Sequence, residues 1–447
     1  MIVKYKNEKF KDEYKRKLLS LEDAAKLVNS GDLLIGSMCE TEATTLTDEV
    51  GKRSLAGEIT GVEYNCMGPH RTVDWITAEN KKNMWLNVSF VINAEARKAV
   101  NDGVGEYTPM HAFDKPDIII NYKIKGRKPG TTKVLLGVSP MDEWGYFSTG
   151  SAPGYTLEPA REENTTVVAQ VNEHLPYVYG DNFIHISEID HVVEDSFELL
   201  EPGLAPTTDL DIAIAEQVSG LVEDGATIQL GLGSMPNVLG QMLADKTDLG
   251  AHSEQVGDAF MALWEAGALT GNCKTVKPRK ITGCFSFGSR KMYDWIDHNP
   301  AVEMYSQKWT NDPFVIAQNY KFTGINQALE IDFTGQISAE SMGFKQYSGT
   351  GGQPAFVEGA RRSPGGKSII CLRSTAKGGT VSNIVPFLRP GTAVTTSRND
   401  TQYVVTEHGT AQLEGKTIPE RAKALIDIAH PDFREELRRE AEKIKYL

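Results

Sequence analysis

Cysteine is scarce in this chain of 447 residues: five are present, and no two form a C-x-x-C pair. That argues against a disulfide framework and against a zinc ribbon. Long apolar runs are also missing. Stretches such as Ile118-Ile119-Ile120 stop well short of the ~20 residues a membrane helix needs. The opening residues, Met1-Ile2-Val3-Lys4-Tyr5-Lys6, are charged at once and do not read as a secretory signal. Positive charge is in deficit, with 47 basic against 60 acidic residues and a net charge of −13. Such a surface repels phosphate backbones, which argues against nucleic acid or an anionic membrane as partner. The nine histidines are scattered, so no metal site is expected. Neither a G-x-S-x-G elbow nor an H-E-x-x-H helix occurs. These absences point to the reducing cytoplasm.

What is present is ordinary globular material, 40% hydrophobic and 24% charged. The length supports two or three domains. One unit recurs. Ser20 caps a predicted helix with Asp23 three residues on, and Leu21, Ala24, Ala25 and Val28 keep helical spacing. A turn at Gly31-Asp32 and a strand, Leu33-Leu34-Ile35, follow. Later, Thr207, Thr208 and Asp209 open a second helix, followed by a turn at Asp224-Gly225 and a strand, 227–230. Between the units, Glu201-Pro202-Gly203-Leu204-Ala205-Pro206 reads as a linker. Two tandem related domains are therefore expected, 1–203 and 204–447. Further strands are expected at 85–92, 117–122, 133–138, 166–171, 281–287, 368–373 and 402–406. Most are continuously apolar or β-branched, as in sheets covered on both faces. With helices alternating between them, the fold class is α/β with mostly parallel sheets. The tail from about Pro419 reads as helical.

Two segments resemble nucleotide motifs and fail on detail. Arg361 to Ser368 ends like a P-loop, but Arg361 stands where the first glycine belongs and a strand follows. Gly231-x-Gly233-x-x-Pro236 resembles a dinucleotide fingerprint, but proline replaces the third glycine. Three other features remain. Gly231-Leu232-Gly233-Ser234-Met235-Pro236 lies between a strand and a helix expected over 237–243, so its N–H groups can face a ligand. Leu249-Gly250-Ala251-His252-Ser253-Glu254-Gln255 offers a carboxylate one helix and a turn further on. Ser348-Gly349-Thr350-Gly351-Gly352-Gln353 leaves several N–H groups to line a concavity. Taken singly, each has a bland alternative: a tight turn, a solvated charge or a surface loop. Arg361, Arg362, Lys367 and Lys377 supply the local positive charge that a phosphorylated ligand needs on an acidic protein.

Taken in order, these three segments resemble the acetyl-CoA hydrolase/transferase family of class I coenzyme A transferases, in particular butyryl-CoA:acetate and 4-hydroxybutyrate CoA-transferases. The resemblance extends to Ser139–Phe147, Val171–Pro176, Thr375–Gly379, Val405–Gly409 and Ile428–Arg434. It implies two α/β domains with the active site in the cleft between them, and Glu254 as nucleophile. It implies that Gly231, Leu232, Gly233, Ser234 and Met235 contact CoA and stabilise an oxyanion. Ser348, Gly351, Gly352 and Lys377 match CoA-contacting positions. Asn311 matches an active-site amide, and Glu407 an acidic active-site position. Coenzyme A and its acyl thioesters are then substrates, with short-chain carboxylates as partners and no permanently bound cofactor. A homodimer or homotetramer is expected on the same ground. An acyl-CoA hydrolase on this scaffold is the alternative, with water as acceptor. Relatives usually read Ile-His-Thr-Glu-Met where this chain has Ala251-His252-Ser253-Glu254-Gln255. The nucleophile is kept and its neighbours are smaller or more polar, which bears on acyl preference.

Overall fold

Strand Leu33–Gly36 starts the first sheet and ends up inside it. Val62–Cys66 and Met84–Val88 add on one side in turn, and Thr132–Val138, Thr165–Val171 and His191–Glu194 add on the other. Short strands at Leu18–Leu19 and Glu106–Tyr107 complete eight, all parallel. The computed structural model describes residues 8–91, 93–201, 206–231 and 233–447. The expected linker residues 202–205, and Leu232, lie outside the described residues.

The second sheet is built by the same rule. Strand Thr227–Leu230 lies centrally, and Gly250–His252 and Ile281–Gly283 follow on one side. Thr323–Gln327, Lys367–Cys371 and Tyr403–Thr406 follow on the other, all parallel. Gly409–Gln412 closes this edge antiparallel. The two sheets thus share one winding order, which gives the α/β fold with two related domains and mostly parallel sheets.

Burial explains the strand composition. In the first sheet Leu33, Ile35, Val134 and Leu136 enter one core, while Leu34 and Leu135 enter the core on the other face. A sheet buried on both faces needs apolar residues at every position, not at alternate ones. The recurring helices form with local caps. Ser20 Oγ accepts the Asp23 N–H at 3.1 Å ahead of helix Leu21–Ala25. Thr208 caps helix Asp209–Ser219, with Asp211 bonding back to the Thr208 N–H at 3.1 Å. The tail forms two helices, Ile418–Asp427 and Pro431–Lys443.

Several expectations differ from the structure. Segment 117–122 is helical, within Lys115–Ile118 and the wider-turned Ile119–Ile124. A short isoleucine run does not distinguish strand from helix, and Pro116 suits a helix's first turn. Segment 281–287 breaks into Ile281–Gly283 and Phe285–Ser286. The helix expected over 237–243 starts earlier, at Ser234. The chain also divides discontinuously. One unit is Met1–Pro202 with Gly283–Trp309, and the other is Gly203–Thr282 with Thr310–Leu447. The contiguous 204–447 expected from sequence therefore differs by one excursion. Main-chain bonds tie that excursion to the first unit: Ser286 N–H to Ser151 O at 2.8 Å, and Gln307 N–H to Gly154 O at 2.7 Å.

The two winding copies differ at the end of the central strand. In the first unit a β-carbon at Gly36 would drive into the Tyr64 ring, and the Tyr155 hydroxyl donates to Gly36 O at 2.6 Å. In the second unit, among the described residues and beyond its chain neighbours, nothing lies within 4 Å of the corresponding direction at Gly231. One strand end is filled by tyrosines and the other opens onto glycine.

Two helices of the second unit pack tightly. Helix Gln353–Arg362 lies on helix Pro313–Ala317, and a β-carbon at Gly359 would run into Ile316, which is fully buried. Overpacking of this kind typically costs about 1–3 kcal/mol. Gly359→Ala is expected to lower the thermal midpoint, read by calorimetry, with the cost entering mainly through these two helices.

Candidate functional site

The site gathers at the carboxyl ends of strands Thr227–Leu230 and Gly250–His252, where an open parallel sheet presents its ligand face. Ser253 joins the two ends. Its hydroxyl donates to Leu230 O at 3.1 Å, and its N–H bonds to Thr282 O at 3.0 Å on the next strand. Beyond Leu230 the chain turns through Gly233, whose φ of +123° is favoured by glycine. Helix Ser234–Met242 follows, with Pro236 in its first turn, where the missing N–H costs nothing. No side chain caps this helix start. Ser234 is held by its hydroxyl to Asp211 at 3.0 Å, and Met235 is buried.

Glu254 follows the adjacent strand and is partly exposed. Asn311 Nδ2 donates to its Oε1 at 3.0 Å. The Gly352 N–H also donates to the carboxylate. Desolvation outweighs both bonds and pushes the carboxyl up to about 7. A carboxylate that has lost much of its hydration, yet ionises near neutrality, has the chemistry to serve as a nucleophile. Gly352 is needed for close approach. A β-carbon there would stand 2.6 Å from Glu254 Oε2 and 2.7 Å from Asn311 Nδ2. Gly351, at φ +59°, turns the chain into this approach.

Asn311 is itself positioned from the Glu254 strand. His252 Nε2 donates to Thr310 O at 2.7 Å, and its Nδ1 faces the Thr282 hydroxyl at 3.2 Å. His252 is fully buried, and desolvation lowers it to about 3, so the ring stays neutral. The sequence alone assigns this histidine no role. Through the Thr310 carbonyl it holds the residue before Asn311.

The remaining expected residues divide into two groups. Ser348 begins the second glycine turn, its N–H bonded to Glu340 O at 3.0 Å. Lys377 is exposed at the tip of the ribbon formed by Thr375–Ala376 and Val381–Ser382, with φ +49°. Glu407 braces the start of that ribbon, accepting the Ser374 N–H at 2.9 Å and the Ser374 hydroxyl. Arg373, one residue earlier, bonds Asp211 at 2.8 Å, and Asp211 also holds Ser234. The Lys377 ribbon is thus wired to the first glycine turn. The other expected cations are engaged elsewhere. Arg361 pairs with Asp400, Arg362 with Glu358 and Lys367 with Glu223. Lys367 opens its strand, so it lies at the amino end of the parallel sheet, away from the glycine turns.

The first-unit motifs at Ser139–Phe147 and Val171–Pro176 line one cavity of about 620 Å³ with helix Arg290–Ile296. There the Tyr177 hydroxyl donates to Asp142 at 2.8 Å, and its ring stacks on His298 at 4.8 Å. Its lining contains none of the glycine-turn residues.

Among the described residues no cluster of three His, Cys, Asp or Glu could hold a metal ion, and no helix is long and apolar enough to cross a membrane. Models of the acetyl-CoA hydrolase/transferase N-terminal and C-terminal domains match residues 2–200 and 288–441. The chain belongs to the acetyl-CoA hydrolase/transferase family. It is 40% identical over 430 residues to 4-hydroxybutyrate coenzyme A transferase of Clostridium kluyveri, covering 96% of this chain and 98% of that one. It is 36% identical to butyryl-CoA:acetate CoA-transferase of Anaerostipes caccae, covering 97% and 98%. Among solved structures, RipA from Yersinia pestis superposes with a TM-score of 0.89 at 32% identity, covering 98% of this chain and 100% of that one. Matches of this length make the chain an enzyme of the CoA-transferase class.

Two outcomes follow from the geometry. A carboxyl raised from its usual 4.5 to about 7 binds protons more tightly folded than unfolded, so it takes stability away as pH rises through that interval. Glu254→Gln should therefore melt higher than the parent at pH 8, with the gap closing towards pH 4. Gly352→Ala should lower kcat by about 100-fold, since a misplacement near 1 Å at reacting groups costs about that much. Steady-state kinetics on a correctly folded variant checks it.

Proposed function

We propose that this enzyme moves CoA between a short-chain acyl-CoA and a free carboxylate, ping-pong, through a thioester on Glu254. The observation that carries the reading is the partly desolvated Glu254 carboxyl, bonded by Asn311 and by the main chain of a glycine turn. The exchange replaces one thioester by another and is nearly thermoneutral, so it calls for an acyl carrier and no energy source.

A Glu254 carboxylate oxygen attacks the donor carbonyl carbon, the C–S bond breaks, and CoA leaves as thiolate. The product is an acyl-glutamyl anhydride. The thiolate then attacks the glutamyl carbonyl, and the anhydride C–O bond breaks to release the first carboxylate. Glu254 is left as its CoA thioester. The acceptor carboxylate reverses both steps, restoring Glu254 and forming the new acyl-CoA. No net proton is consumed. Each attack builds an oxyanion, for which Asn311 Nδ2 and the glycine-turn N–H groups are suitable donors, one such donor being worth about 3 kcal/mol in the barrier. The CoA tail on the Gly231–Met235 and Ser348–Gly352 turns and on Lys377 is a remote handle whose binding energy can assist desolvation at the thioester.

The relatives named for 4-hydroxybutyrate and for butyrate and acetate support a short-chain acyl group of that size. These acids differ by a methylene or a hydroxyl, each worth only about 1–3 kcal/mol in a pocket.

Incubation with butyryl-CoA and no acceptor should add the mass of CoA, less one water, to the intact protein. The adduct should vanish with Glu254→Gln and be discharged by acetate. A protein mass unmoved under thioester-preserving conditions would sink the reading. The rate constant for the donor half-reaction should rise with pH to a plateau, with an apparent pKa near 7, because the attacking carboxyl must be ionised.

A further inference from the structure

The turn that brings Gly352 to Glu254 is rich in glycine. Gly349, Gly351 and Gly352 have no side chains, and Gly351 sits at φ +59°. A main chain this free adopts one geometry only if something outside it decides which. Glu340, 6% exposed, does so from two sides. Its carbonyl accepts the Tyr347 and Ser348 N–H groups at 2.8 and 3.0 Å, fixing the entrance to the turn. Its carboxylate accepts the Thr350 hydroxyl at 3.3 Å, within the turn, and the Thr395 hydroxyl at 2.9 Å. Thr395 is fixed in turn, its N–H on Ile337 O at 2.8 Å and its hydroxyl accepting the Ala339 N–H at 3.0 Å. The neighbouring Thr396 accepts Gln353 Nε2 at 3.1 Å, at the exit from the turn. One strap, Thr395-Thr396, thus grips the turn through Glu340 on one side and through Gln353 on the other.

We propose that Glu340 is a positioning residue of the transfer site: its buried carboxylate locks Thr350 to the Thr395 strap and so holds the Gly351-Gly352 main chain in register with Glu254. This rests on the reading of Glu254 as the acyl carrier. Glu340 acts through Thr350 and the main chain, leaving the chemistry to the groups it places. Gly352 N–H favours the ionised form of Glu254. If Glu340 holds that N–H in place, releasing the turn must do two things together: slow transfer and make Glu254 harder to ionise.

The test compares Glu340→Ala, Glu340→Gln, Thr350→Val and Glu254→Gln in butyryl-CoA:acetate exchange across pH. Glu340→Ala should lower kcat about 10- to 100-fold, a misplaced catalytic donor costing that much. It should also move the apparent pKa of the donor half-reaction upward by about half a unit or more. Glu340→Gln should recover both rate and profile to within a few-fold, because threonine hydroxyls can turn to accept as well as donate. Thr350→Val, which removes the hydroxyl bond to Glu340, should shift the profile in the same direction and keeps the test decisive if Glu340→Ala does not fold. Loss of melting temperature with an unmoved pH profile in both variants overturns the proposal, as does parent-like turnover. Glu254→Gln separates the two claims. Full exchange by that variant sinks the acyl-carrier reading, whereas an inactive Glu254→Gln beside unshifted Glu340→Ala and Thr350→Val sinks only the role of Glu340.

Discussion

The second unit turns on a carboxyl group drawn out of water and only partly compensated for it. Burial alone would keep Glu254 protonated, and full solvation would leave it a weak nucleophile. Two donors, the Asn311 amide and the Gly352 N–H, bring it to the balance point near neutrality. Both donors must lie within hydrogen-bond reach without a side chain intervening, which is why position 352 carries glycine. The surrounding architecture serves those few contacts. Ser253 ties two strand ends, His252 fixes the residue before Asn311, and Asp211 links the first glycine turn to the Lys377 ribbon.

Much of the fold was legible because its signals are local. The capping side chains at Ser20 and Thr208 and the turns before each central strand sit in contiguous sequence. Strands buried on both faces announce themselves as unbroken apolar runs. Isoleucines 118–120 misled because a run that short carries no period, while Pro116 just upstream suits a helix's first turn. The excursion at Gly283–Trp309 left no composition shift to read, since it is held by main-chain bonds to residues 151–154.

The candidate site was legible in parts. Glu254, Asn311 and the glycines of both turns were named from order and resemblance, and the structure brings Glu254, Asn311 and Gly352 into contact. The supporting residues were invisible for a physical reason. His252, Glu340 and Asp211 each reach a partner far along the chain, 58, 55 and 162 positions away. No spacing rule encodes such pairings. The basic residues misled in the opposite direction. Arg361, Arg362 and Lys367 cluster in sequence, yet a helix end and a strand start carry them to the amino side of the sheet, where acids neutralise them.

The two copies of the winding pattern show how little separates scaffold from workplace. Where Tyr64 and Tyr155 crowd Gly36, the crossover point of the first sheet is sealed by aromatic bulk and serves cohesion. At Gly231, among the described residues, no such side chain stands against the corresponding β-carbon direction. A duplicated domain thereby becomes free to specialise. One copy can gather mass at its hub and gain rigidity, while its sibling forgoes that filling and keeps a place where a guest molecule can meet bare backbone.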